Sequence, residues 1–282
     1  MKAIWIITRL TFLEAIRRRI MIAGLALGTL FLIIYSVGLH FILIQVGQTL
    51  NDVAAGRAIL QAESTNAFLM AGLYAITFLS IAMAALLGAD TLAGEINSGT
   101  IQTIVTKPIR RADVVLGKWL GFAGLLGLYL LLMAGGVVLS MFFQTHYTPD
   151  HLLRGLGLIY LEALLIMTIT LMCSAAFPAL ATGAIVFGLY GLSFIGGWIE
   201  QFGSFIQNQT AVKIGIITSL IIPTESLWRR AVFEMQTPLS SALGMSPFGT
   251  ISVPSLLMVV YAVAYLLIAL IFSIHIFQKR DL

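Results

Sequence analysis

Hydrophobic positions along the chain fall into six long runs separated by polar breaks. They cover about Ile20 to Ile44, Ala67 to Ala89, Trp119 to Phe143, Leu152 to Phe177, Ala179 to Ile199 and Val253 to Phe277. Each reaches the roughly 20 residues that a helix needs to cross a bilayer. No alternating two-residue pattern of a membrane barrel is present, and open strands leave their edges unsatisfied in lipid, so the runs predict helices. Residues 1 to 19 carry an apolar-rich face (Ile6, Ile7, Leu10, Leu13) interrupted by Arg9, Glu14 and Arg17. They predict an interfacial helix leading into the first span. The segment 200 to 252 holds "IGIITSLII", which is too short to cross, then Pro223 and the helix-like "TESLWRRAVFEM" with Thr224 as N-cap. Short re-entrant or interfacial helices are expected there. The expected fold class is an all-α integral membrane protein: one domain over 1–282, with six transmembrane helices, an N-terminal interfacial helix, a polar loop over 90–118 and short helices between spans five and six.

Composition supports this pattern. The chain of 282 residues is 59% hydrophobic and 10% charged, against about 25% charged in a soluble domain. The first apolar run is too long for a cleaved signal peptide and reads as a retained helix. The single cysteine, Cys173, supports neither an internal disulfide nor a cysteine metal cage. The net charge of +4 points to anionic headgroups and not to nucleic acid. Lys and Arg collect in residues 1–19, in the loop between spans two and three and in the C-terminal tail; Arg57, Arg154, Lys213, Arg229 and Arg230 lie on the opposite side. By the positive-inside rule both termini and that loop are cytoplasmic. Arg17, Arg18, Arg19 and Lys118 are expected to anchor at cytoplasmic headgroups, and Trp228, Arg229 and Arg230 at the outer ones.

Candidate chemistry narrows the reading further. "LGKW" contains Gly117-Lys118, but a phosphate loop needs a hydroxyl residue where Trp119 stands and a glycine where Ala112 stands. The chain therefore carries no nucleotide site. His146, Asp150 and His151 in "HYTPDH" have no further ligand nearby and read as a solvated loop. No nucleophile elbow and no paired His–Glu zinc motif occur, which argues against an enzyme. Glu162 lies about ten residues into the fourth span. A charge at that depth costs about 2.5–3.5 kcal/mol on insertion scales, so it must face protein or water. It is the candidate translocation or gating residue, and it motivates an alternative reading as a stand-alone channel or ion-coupled carrier. A second alternative is a membrane scaffold that docks an external protein through 200–252.

The polar stretch "GEINSGTIQTIVTKPIRRADVVLGKW" is the most informative part of the chain. "DTLAGEIN" continues the second span outward, Ser98-Gly99 breaks it, and Thr100 caps a short helix to about Thr106. Pro108 ends that helix, because the residue before a proline is pushed from helical geometry. The third span's helix starts near Arg111 or Ala112.

Here Glu95, the Ser98–Thr100 "SGT", the Lys107–Arg111 "KPIRR", Gly117-Lys118 and the closing "FQKRDL" resemble the permeases of type-2 ABC exporters. The layout is most similar to the small stand-alone permeases, which include the copper-processing group. The resemblance implies that Glu95, Ser98, Gly99, Thr100, Lys107, Pro108, Arg110 and Arg111 form a coupling helix seated in an ATP-binding cassette ATPase subunit. It also implies pairing of two permease copies as a homodimer, with ATP and Mg bound by the ATPase and no cofactor in this chain. The expected location is a prokaryotic plasma membrane, where an external protein is a further possible partner.

Overall fold

The computed structural model describes residues 2–49, 57–97, 110–236 and 253–279. Among them all regular structure is helical: α1 (Lys2–Arg17), α2 (Arg19–Thr49), α3 (Arg57–Ala89), α4 (Thr91–Asn97), α5 (Arg111–Thr145), α6 (Leu152–Ala176), α7 (Ala179–Phe205), α8 (Gln209–Ile221), α9 (Thr224–Met235) and α10 (Leu256–Lys279). Six helices, α2, α3, α5, α6, α7 and α10, are long and apolar enough to cross a membrane, and α8 with α9 forms one pair bent by 105°. The six expected spans are all present. Several helices overrun the apolar runs: α2 continues to Thr49, α3 begins at Arg57 and α5 begins at Arg111. Hydropathy marks the lipid-immersed part of a helix, while backbone hydrogen bonding carries the helix beyond it.

The helices α3 and α6 form the centre of the bundle, and α6 packs on α3, α9 and α10. Leu69, Leu73, Ile76, Leu165, Ile166 and Met167 are fully buried there. By contrast α2, α7 and α10 expose long apolar faces, including Ile33, Ile34, Leu180, Leu257 and Ile271. Apolar side chains gain nothing from hiding from lipid tails, so close contact and hydrogen bonds bind the helices. The Tyr160 hydroxyl donates to the Ala123 carbonyl at 2.8 Å, and Trp119 Nε1 donates to Thr168 Oγ1 at 2.8 Å. Glycines bring α1 and α5 together: a Cβ on Gly117 would stand 2.7 Å from Ile7 Cβ, and one on Gly121 would stand 2.9 Å from the Thr8 carbonyl oxygen.

Contacts fix which ends lie together. Leu92, Val114, Val115, Ala175 and Phe277 make a small separate core. The start of α4, the start of α5, the end of α6 and the end of α10 therefore share one end of the bundle, with α1 against α5 beside them. We call this the terminal end. At the distal end the α8–α9 pair re-enters. It descends along α7, where Gly203 faces Ala211 and Gly196 faces Thr218. It turns at Ile222-Pro223 and returns along α6, where Gly155 faces Met235. The expected short helices of 200–252 thus appear as a re-entrant hairpin.

Candidate functional site

Two places hold the candidate residues, and each is built around a break in the helical pattern. The first is the terminal end. A one-residue turn at Asp90 interrupts the helix, while the second span runs on through it to Gly94; the break expected at Ser98-Gly99 lies outside the described residues. The first amides of a helix lack an internal partner, and after the turn Gly94 N donates to the Asp90 carbonyl at 3.0 Å. Ser174 on α6 answers this: its Oγ accepts from the amides of Leu92 and Ala93, both at 3.1 Å. Ser174 is fully buried. Thr91, also buried, turns its hydroxyl back to the Leu87 carbonyl at 2.5 Å.

Across the break, α5 begins at Arg111 as expected, with Arg110 extended before it. Arg111 Nη1 donates to the Gln278 carbonyl at 3.0 Å, tying the start of α5 to the end of α10. Both roots of the polar loop thus meet on the small core of Leu92, Val114, Val115, Ala175 and Phe277. Glu95 lies within α4. Ser98, Gly99, Thr100, Lys107 and Pro108, and with them the expected helix over Thr100–Thr106, lie outside the described residues.

The basic anchors divide. Arg17 and Arg19 are exposed, and Arg18 pairs with Glu14 at 2.8 Å on the surface. Lys118 was expected at headgroups, but it is buried inside the bundle, 5% exposed. It stands in the second turn of α5, between the glycines that receive α1.

The second place is the distal hairpin. Its turn again frees backbone groups in the bundle, and again a serine from a span meets them. Ser193 on α7 donates to the Ile222 carbonyl at 3.0 Å and accepts from the Glu225 amide at 3.3 Å. Thr224 was expected as the N-cap of α9; it is instead the first helical residue, and its hydroxyl donates to Ser193 at 2.8 Å. Asn208 caps α8, accepting from the amides of Thr210 and Ala211 at 3.0 and 3.2 Å.

Around this turn lie the buried charges. Arg229 forms a two-pronged pair with Glu200, 2.7 and 2.8 Å, with both side chains buried. Trp228 is buried against the Tyr74 ring, with centroids 4.8 Å apart. Trp228 and Arg229, expected as anchors at the outer headgroups, are thus packed against protein neighbours. A positive-inside count cannot see the carboxylate on α7 that draws Arg229 inward. Arg230 is half-buried, bonded to Glu234 at 2.5 Å and stacked over Phe233. Glu162 is fully buried on α6, and its charge opposes that of Glu225 on α9. Glu225 is buried in the same place, close to both Arg229 and Glu200. Arg229 thus faces two buried carboxylates, bonded to Glu200 and close to Glu225. The residues that sequence reading missed, Ser174, Ser193, Glu200 and Glu225, gave no local signal: each acts on a partner far along the chain.

His146 and His151 are exposed in the short distal loop, both with left-handed backbone. Among the described residues no group of three or more His, Cys, Asp or Glu is placed to hold a metal.

An all-helical bundle of six spans with a re-entrant hairpin at one end and a polar loop rooted on four helices at the other defines a polytopic membrane protein of the transporter type. The chain belongs to the ABC-2 family of transporter proteins, whose family model matches residues 5–282. It is a transmembrane, non-catalytic permease component of membrane transport, and permeases of this family typically pair with an ATPase subunit. No curated protein matches the sequence. Family membership removes the case for a stand-alone channel or ion-coupled carrier. Glu162 accordingly stands as a buried residue beneath the re-entrant hairpin.

Proposed function

We propose that this chain is the permease half of an ATP-driven exporter and that residues 90–118 are its coupling element. In this reading Glu95, Ser98, Gly99, Thr100, Lys107, Pro108, Arg110 and Arg111 engage a separate ATP-binding cassette ATPase, which binds ATP and Mg. The observation that carries it is the rooting of the loop. One root, α4, is held by Ser174 of α6 and the other, α5, by α10 through Arg111. A push on a loop tied at both ends to packed helices moves four elements together, and such small shifts are how packed helices switch. A loop serving only as a positive anchor needs basic residues and no such ties.

The same reading makes the terminal end cytoplasmic, in agreement with the excess of Lys and Arg there. It places the protein in a prokaryotic plasma membrane as a homodimer with 1–282 as one permease domain. The exposed apolar faces of α2, α7 and α10 offer lipid or a second copy a surface. The small stand-alone layout fits the copper-processing group of the family, with 200–252 facing an external protein. The test is purification from native membranes followed by reconstitution with the ATPase that accompanies the chain. Glu95→Ala and Gly99→Pro should lower transport at least tenfold while membrane insertion and ATP hydrolysis persist. Transport at the native rate by both variants would sink the coupling assignment.

A further inference from the structure

At the distal end a cavity of about 250 Å³ opens between α7, α8, α9 and the start of α10. Its polar wall is the buried pair of Glu200 and Arg229 together with Ser219 and Ser226, both also buried. Its apolar wall includes Ile216 and Leu220 of α8. The polar wall is not fully used within the chain. Among the described residues, Arg229 Nε and Ser219 Oγ have no hydrogen-bond partner, although both atoms are buried. A buried donor left unmade costs roughly 1–3 kcal/mol, so two of them at one cavity are a reason to expect an occupant rich in acceptors.

The charges restrict which occupant. A simple anion would meet Arg229 but also Glu200, with Glu225 behind it. A simple cation would meet the carboxylates but also the guanidinium. A group carrying both signs can lie head-to-tail along the pair, with its ammonium on the Glu200 side and its acceptor oxygens toward Arg229 and the two serines. Size restricts it further. The cavity measures about 250 Å³. It is smaller than the roughly 300–1,000 Å³ of pockets that enclose a drug-sized ligand. It therefore suits a headgroup and not a whole amphiphile. The rest of such a molecule has a place to go, because α8 exposes Ile214, Ile216, Ile217, Leu220 and Ile221, which form an apolar flank beside the cavity.

We propose that this cavity seats the zwitterionic headgroup of a phosphatidylethanolamine-type lipid, with the acyl chains lying along the exposed face of α8. The site is separate from the coupling loop and stands whether or not the coupling assignment holds.

Native mass spectrometry of the full chain released from nanodiscs tests this. The nanodiscs contain equal phosphatidylethanolamine and phosphatidylglycerol, whose chains are matched. The expected result is one retained phosphatidylethanolamine per chain, at least tenfold over phosphatidylglycerol. Ser219→Leu, which fills the cavity from the apolar α8 side, should reduce that adduct at least tenfold. The paired change Ser219→Ala with Ser226→Ala removes the hydroxyls without adding bulk and should reduce it several-fold, so the test survives if the larger side chain impairs folding. Equal retention of phosphatidylglycerol would overturn the zwitterion assignment. Full retention in both folded variants would overturn the location. Displacement of the lipid by equimolar soluble glycerophosphoethanolamine would overturn the bilayer as the source.

Discussion

Replacing Ser174 by Ala is expected to loosen the root of α4 without unfolding the bundle. The Ser174 hydroxyl accepts from two adjacent amides, Leu92 N and Ala93 N, each at 3.1 Å. These are first-turn amides after the break at Asp90, so no preceding helical carbonyl is in place to take them. Leu92 and Ser174 are fully buried, which keeps water from substituting freely. An orphaned buried donor costs roughly 1–3 kcal/mol. The two amides share one acceptor, and part of the loss relaxes, so about 2 kcal/mol is the expected weakening at this root. With RT near 0.59 kcal/mol that is on the order of thirtyfold in a local opening constant. Hydrogen exchange followed by mass spectrometry, on the full chain in nanodiscs, reads it directly on peptides covering residues 88–97. Exchange there should accelerate by roughly that factor, while peptides from the middle of α5 and α6 stay unchanged. Ser273→Ala is the matched control. Ser273 is equally buried, but its hydroxyl has no hydrogen-bond partner among the described residues. Removing it should be neutral or slightly stabilising, with no change at 88–97. Exchange at 88–97 within twofold of the native chain in folded Ser174→Ala, or an equal acceleration in Ser273→Ala, would refute the reasoning.

Gly121→Ala should push α1 off α5, because the added methyl meets the Thr8 carbonyl oxygen, which is backbone and cannot rotate away. Overpacking of this kind costs about 1–3 kcal/mol, to be read as faster proteolysis of the N-terminal helix at an unchanged far-ultraviolet spectrum. Arg229→Met removes the guanidinium from the buried Glu200 carboxylate and should cost about 3–5 kcal/mol in thermal or denaturant unfolding; the double change with Glu200→Gln should recover most of that loss.

Length and hydropathy alone reveal the spans and the too-short apolar segment before Pro223, since a bilayer imposes both on any chain that crosses it. The start of α5 was legible too, because Pro108 and the charged residues after it bar a helix that continues from before. Illegible was everything that depends on a partner far along the chain. Arg229 reads as a headgroup anchor until Glu200, on another helix, is seen to bond it. Lys118 reads the same way until it is found buried in the bundle.

The two serines extend this point. In a membrane bundle a break in a helix releases amides and carbonyls that water cannot reach, so each break needs a polar group from a neighbouring element. Ser174 meets the break at Asp90 and Ser193 meets the break at Pro223, each from a neighbouring membrane-spanning helix. A serine in a span is a common residue, and nothing local distinguishes these two from Ser80 or Ser273, whose hydroxyls make no hydrogen bond among the described residues. The breaks are also where the polar loop and the re-entrant hairpin attach. A transporter that must move these attachments has to loosen or carry along the hydroxyl that holds each one. Ser174 and Ser193 are therefore the residues at which rigidity of the bundle and mobility of its appendages are set against each other, by hydrogen bonds worth about 1 kcal/mol each when made.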